Sequence, residues 1–246
     1  ALEKFPGLRL AAISGGQFDN VICSRCDAVV ALPKGSGRAF EAFIREFEGV
    51  LKNEYAVTDP DVTLTCAAAE TAKAVSAERT VTLVQALTAM PQGVEAMDTD
   101  FPGLVQTSLN MGVVKLNGDG LHIAFSIRSS IASRKLMLAQ RVRAVAALAG
   151  GTVAERGVYP GWQYKRESQF RDTLLAAYKD LTGKDGVVEA THGGLECGLL
   201  MEKIPGLDAV SMGPELHDVH SVRERLSVPS TERTYELVCE LLRRSC

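Results

Sequence analysis

Apolar residues at Ala39, Phe40, Phe43, Ile44, Phe47, Val50 and Leu51 recur every three or four positions, so the spacing predicts a helix with one apolar stripe and a charged opposite face. Val81, Val84, Leu87 and Met90 mark a second helix that Pro91-Gln-Gly93 ends, and Leu138, Val142, Val145 and Leu148 a third, closed by Gly150-Gly151. Period-two stretches lie between them. The segment LRLAAI, the alternating run 20–32 beyond Gly15-Gly16, and VTLTC from Val62 read as strands. The β-rich runs 104–116 and 121–129 flank Asn117-Gly-Asp-Gly120, where Asn and Gly tolerate the positive φ of a tight hairpin turn. A last strand, TVAERGV, leads to Tyr159-Pro-Gly-Trp162, where the periodicity stops and restarts, and a domain boundary is expected there.

Beyond that boundary Phe170, Leu174, Leu175, Tyr178 and Leu181 form an amphipathic stripe, VVEAT reads as a short strand, GLECGLLMEKI as a helix and LDAVSMG as another strand. The final helix starts near Pro229-Ser230, points Tyr235, Val238, Leu241 and Leu242 inward, and ends on Arg243-Arg244, whose charges suit a helix C-terminus. The expected fold class is therefore mixed: an α+β unit with helices on one face of a sheet, then a small α/β lobe. Two or three strands make a narrow sheet, so that lobe is expected to need partners from elsewhere. At the other end, ALEKFPG reads as the close of a helix before a Pro/Gly stop, and the chain is expected to begin inside an element.

With 27 basic and 30 acidic residues the chain carries a net charge of -3, without the basic excess that binds phosphate backbones, so no nucleic-acid partner is expected. No apolar run reaches the roughly 20 residues that cross a bilayer, and the first residues lack a signal peptide's basic and apolar regions. A cytoplasmic protein without a membrane partner is the expectation. Two of the six cysteines form Cys23-Ser-Arg-Cys26. A structural zinc needs about four ligands, and no second close Cys/His pair complements the first. Strand alternation would put the two thiols on opposite faces, so free thiols in a reducing compartment are expected.

Candidate chemistry lies in two clusters. His217 and His220 stand in Gly-Pro-Glu-Leu-His-Asp-Val-His-Ser, directly after an expected strand, and ligands gather at the carboxyl ends of strands in α/β sheets. Neutral imidazole is also the commonest metal ligand, although loop histidines more often bond the backbone. Thr191-His192-Gly-Gly-Leu-Glu196-Cys-Gly198 runs from a strand end into a helix start, where N–H groups favour anions and Glu196 alternatively complements the helix dipole.

Gly193-Gly-Leu-Glu-Cys-Gly198, Lys203-Ile-Pro-Gly-Leu-Asp-Ala209, Ser211-Met-Gly-Pro214, His217-Asp-Val-His220-Ser and Arg223-Glu-Arg-Leu226 together resemble the C-terminal part of aminoacyl-histidine dipeptidases, which cleave Xaa-His dipeptides. The resemblance extends to Gly15-Gly16, Asn20-Val21-Ile22, Thr107-Ser-Leu-Asn110, Phe125-Ser-Ile-Arg128-Ser-Ser130 and Tyr159-Pro-Gly-Trp162. It implies a zinc-dependent metallo-dipeptidase whose catalytic α/β domain holds two zinc ions and is interrupted by an α+β lid. Residues 1–157 would be most of the lid, and residues 158–246 the C-terminal part of the catalytic domain. His220 would be the last zinc ligand, with His217 a neighbour. Arg128 would bind the dipeptide's carboxylate, with Asn110 and Glu196 as further substrate-binding candidates. The family's His-x-Asp motif, Glu-Glu pair and remaining ligands have no match in this sequence. The implied parent therefore carries them in a missing N-terminal half, and this chain alone is expected to be inactive and to bind zinc weakly or not at all. A homodimer is the other expected partnership. Two rival readings stay open: a non-catalytic binding or dimerisation module of the same superfamily, or a related two-zinc acylase or carboxypeptidase.

Overall fold

A computed structural model describes the chain from Ala1 to Cys246 apart from residues 71, 72, 119, 193, 220 and 246. The described residues form two compact units: one of 1–93, 109–127 and 138–154, the other of 94–108, 128–137 and 155–246. In chain order the elements are β1 (Arg9–Gly15), β2 (Cys26–Ala31), α1 (Gly37–Glu54), α2 (Ala77–Ala89), β3 (Gly93–Met97), β4 (Val105–Asn117), β5 (Gly120–Ser129), α3 (Ala132–Leu148), α4 (Gln169–Thr182), α5 (Glu196–Lys203), β6 (Leu216–His217), β7 (Arg225–Leu226) and α6 (Val228–Ser245). The larger sheet runs β2-β1-β4-β3, with β5 also paired to β4. The mixed helix-and-sheet class expected from the periodicity is present.

In the first unit, β1 pairs antiparallel with β2, with a register shift between Leu10 and Ala12. That shift lets both Leu10 and Ile13 join one core cluster, with Val75, Leu83 of α2, and Leu116. Of the expected stripe of α1, Phe40 is buried and Phe43 and Ile44 half-buried against Phe5, Leu8, Val30 and Leu32, while Phe47 and Val50 are exposed. The Phe5 and Phe40 rings meet edge to face at 5.2 Å. A third cluster seats Leu138 and Val142 of α3 on Leu109, Phe125 and Ile127. Phe125 and Ile127 take the core face of β5, so alternation turns Ser126 and Arg128 to the other face.

Thr80 joins α2 to β1. Its hydroxyl accepts from Leu10 N at 3.0 Å and donates to Ser76 O at 2.9 Å, with the residue 0% exposed. Thr80→Val keeps the volume but orphans the buried Leu10 N–H. We expect a loss of about 1–3 kcal/mol in urea unfolding, and an unchanged midpoint would show that this amide finds another partner.

The second unit holds α4 and α6. Ser168 caps α4 by accepting from Arg171 N at 3.1 Å, and Asp208 accepts from Ser168 Oγ at 2.8 Å and Phe170 N at 3.1 Å. Arg244 near the end of α6 reaches Asp180 of α4 at 2.7 Å. Four expected strands are absent: VTLTC, TVAERGV, VVEAT and LDAVSMG are extended or irregular, without ladder partners among the described residues. An apolar run becomes a strand only when a neighbour accepts its N–H groups. The run 20–32 is likewise a strand only from Cys26; its first half is a loop, so strand alternation does not separate Cys23 from Cys26. At the start of the chain, Phe5 N donates to Ala1 O at 2.9 Å, closing a single helical turn.

Candidate functional site

In the second unit, four of the segments named above meet. Thr107, 0% exposed, shares a 2.8 Å hydrogen bond with Ser129, and the Ser129 hydroxyl also accepts from Ile131 N at 3.0 Å. Ser130 N donates to Gln106 O at 3.2 Å. These bonds clamp the first turn of β4 to the end of β5, which fixes Ser108 and Arg128. Ser108 Oγ lies 2.8 Å from His192 Nε2, joining that clamp to Thr191-His192.

Glycines permit the remaining approaches. A Cβ on Gly161 would sit 2.6 Å from Ser130 O and 2.7 Å from Ser129 O, so Tyr159-Pro-Gly-Trp162 lies directly on the end of β5. A Cβ on Gly194 would fall 2.4 Å from the Tyr159 ring, and one on Gly198 would be 3.3 Å from Gly161 O. The Lys135 ammonium donates to the Tyr159 carbonyl. A small cavity of about 60 Å³ opens beside them, lined in part by Asp98, Val105, Ser130, Trp162, Tyr164 and Glu189.

The electrostatics follow from this packing. Burial lowers the His192 pKa, and the Arg128 guanidinium lowers it further, against a small opposing effect from the Val105 backbone. His192 is therefore a neutral imidazole at pH 7, with Nε2 on Ser108. Burial and then the Glu196 carboxylate push the Tyr159 phenol up. A hydroxyl and a neutral imidazole thus bond one another with the Arg128 cation near enough to bias the imidazole, an arrangement suited to holding a carboxylate or a peptide oxygen.

The His192 effect has a definite sign. An unfolded chain protonates the imidazole near its ordinary value of about 6.5, before the folded chain does, so stability falls as pH drops through that value. Urea unfolding between about pH 7 and about pH 5.5 should show that decline, and His192→Gln should flatten it. Equal slopes in the two proteins would show that His192 gains its proton without penalty in the fold.

Arg128 is exposed at the end of β5, and Glu196 is exposed in the first turn of α5, where its charge complements the helix dipole. Asn110 lies in the first unit, where its Nδ2 donates to Asp19 O at 2.8 Å and Val21 O at 2.9 Å and so holds the loop after β1. His217 is exposed in β6, opposite Arg225. His220, the expected zinc ligand, lies outside the described residues. Among the described residues no three His, Cys, Asp or Glu side chains are grouped to hold a metal ion. Ser108 was legible only as part of a motif; its pairing with a histidine 84 positions away has no local signal.

Residues 1–59 match the family model of the peptidase dimerisation domain. The chain is 31% identical over 237 residues to the cytosol non-specific dipeptidase of Escherichia coli (strain K12), which covers 96% of this chain and 49% of that protein. The crystal structure of aminoacylhistidine dipeptidase from Vibrio alginolyticus superposes with a TM-score of 0.89 at 29% identity, over 99% of this chain and 50% of that one. Aminopeptidase PepT from Bacillus cereus ATCC 10987, at 15% identity and a TM-score of 0.50 over 95% of this chain and 51% of its own, shares the fold alone. The chain spans about half the length of these proteins, and no helix among the described residues is long and apolar enough to cross a membrane. This chain is therefore similar in sequence to a cytosol non-specific dipeptidase and in structure to an aminoacylhistidine dipeptidase, over about half the length of each.

Proposed function

We propose that the chain is the substrate-recognising part of a zinc-dependent dipeptidase that hydrolyses Xaa-His dipeptides, with residues 1–157 as lid and 158–246 as the C-terminal part of the catalytic domain. The observation that carries this reading is the meeting of Ser108, Arg128, the Tyr159–Trp162 segment and His192 in one polar site, in a chain homologous to a dipeptidase. In this reading Arg128 pairs with the substrate carboxylate, Glu196 is a further substrate contact, and His220 is the one metal ligand the chain supplies.

Zinc, if held in a complete protein, would supply Lewis acidity for hydrolysis. The described residues do not fit a zinc pair, since none of them cluster as ligands, and the reading assigns both metals to the complete protein. The chain by itself is then a recognition module without turnover. Purified from a host lacking the homologous peptidase and supplied with zinc, it should release no histidine from Xaa-His dipeptides, whereas the full-length protein should. Zinc-dependent release by the chain alone would overturn the assignment.

The match of residues 1–59 to a dimerisation domain favours a second reading, in which this half also pairs with another copy of itself. Light scattering of the purified chain at twice its 26.4 kDa mass would support it, and a monomer at all concentrations would sink it.

A further inference from the structure

Cys23 and Cys26 stand at the end of the loop that joins β1 to β2, far in sequence from the segments of the polar site. Their side chains converge on one point. The Cβ that Gly15 lacks would lie 2.9 Å from Cys26 Sγ and 3.3 Å from Cys23 Sγ. Gly15 pairs directly with Cys26 across the β1–β2 ladder, so the missing side chain leaves the space that both sulfurs occupy. Residues 20–25 are not a strand, and the irregular loop leaves Cys23 on the same side as Cys26, where a regular strand would send the two to opposite faces.

The pair is also accessible. Cys26 is exposed and Cys23 partly so, and both carry free thiols. The Cys23 S–H donates to Arg25 O at 3.1 Å, which fixes its sulfur against the loop backbone. Arg25 itself is turned outward and paired with Asp27 at 2.9 and 3.0 Å, leaving the thiols without a bulky neighbour between them. Burial, then Cys23 and Asp27, push the Cys26 thiol up, a further sign that the two sulfurs sense each other.

We propose that Cys23 and Cys26 form a reversible disulfide, making the β1–β2 loop a thiol-redox site. The oxidant is a small disulfide such as oxidised glutathione. One cysteine thiolate attacks the glutathione disulfide, forming a mixed disulfide and releasing one glutathione thiolate. The other cysteine then attacks the mixed disulfide and expels the second glutathione. In sum, two protein thiols give up two electrons and two protons, and one glutathione disulfide becomes two glutathione thiols. Closing the ring ties together the two ends of the segment 23–26, just beyond the part of the loop, at Asp19 and Val21, that Asn110 holds. In a reducing compartment such a bond is transient and responds to the glutathione poise.

Arg25 lies between the cysteines, which gives a direct test. The full 246-residue chain is equilibrated in glutathione buffers of graded ratio, quenched in acid, freed of remaining thiols by alkylation and cut with trypsin. Cleavage after Arg25 separates Cys23 from Cys26, so the two peptides stay joined only when the disulfide is present. The expected result is a joined pair that appears over the titration and disappears on adding dithiothreitol, while Cys66, exposed and remote in sequence, carries only glutathione. Cys23→Ser should abolish the joined pair and raise the glutathione adduct on Cys26 at least tenfold over wild type, since no second thiol resolves it. Adducts on Cys26 of equal amount in wild type and Cys23→Ser, or alkylated Cys23 and Cys26 at poises that modify Cys66, would overturn the proposal.

Discussion

Replacing Gly16 by Ala should destabilise the first unit by about 3 kcal/mol or more, because two separate costs fall on one residue. Gly16 adopts φ +71°, a left-handed conformation that costs an L residue on the order of 1–2 kcal/mol by itself. The added Cβ would also lie 1.7 Å from Gly112 O and 2.9 Å from Gly112 C. Both are backbone atoms of β4, so no side chain can rotate to relieve the overlap. Gly112 is equally confined from its own side, where a Cβ would meet Phe18 O at 2.3 Å and Asp19 Cα at 2.5 Å. The chain leaving β1 thus crosses β4 backbone to backbone, next to the rungs Ser14 to Lys115 and Gly15 to Val114. Gly35→Ala separates the two costs: that glycine has φ +84° with nothing within 4 Å of its missing Cβ, so only the conformational part should appear. Urea unfolding of the two variants against wild type checks this, with Gly35→Ala losing about 1–2 kcal/mol. Equal losses would mean that β4 yields and that the crossing is not tight.

The same crossing shows what the sequence could and could not disclose. Gly15-Gly16 reads as a turn, which is correct locally, but the reason Gly16 must be glycine is an oxygen 96 positions away in β4. Helical stripes are legible because their period is internal to the element: Phe40, Phe43 and Ile44 pack one face of α1 on the core as their spacing requires. Strands need neighbours, and this is where reading the sequence misleads. Residues 187–191 and 207–213 have strand composition and no ladder among the described residues, whereas Gly93–Met97, short and two residues beyond Pro91, is a strand because β4 lies beside it. The polar site divides in the same way. Arg128 is placed by alternation along β5, a local property. Ser108 and His192, 84 positions apart, are brought together only by the tertiary fold, and the convergence of Cys23 and Cys26 depends on a loop that period-two reading treats as strand.

In the full-length protein, Arg128→Lys should lower kcat/KM for dipeptides by about 30-fold or more, on the order of 2 kcal/mol, while zinc content and thermal stability stay nearly constant. The expectation rests on Arg128 meeting the substrate carboxylate. Its guanidinium stands at the end of β5, held in register by the Thr107–Ser129 bond and the Ser130 to Gln106 bond behind it. A planar fork can place two parallel N–H groups on a carboxylate; an ammonium offers a point charge on a shorter reach and cannot reproduce that geometry. The fold should hardly respond, because Arg128 is exposed and the core face of β5 belongs to Phe125 and Ile127. His192 supplies an independent readout of where the charge sits. Arg128 contributes to holding its pKa down, so Arg128→Gln should raise the His192 pKa measured by NMR, whereas Arg128→Lys, which keeps the cation, should move it less. Near-normal kcat/KM in Arg128→Lys, together with a displaced His192 pKa in Arg128→Gln, would leave Arg128 as a neighbour that tunes His192 and would assign carboxylate recognition to other groups.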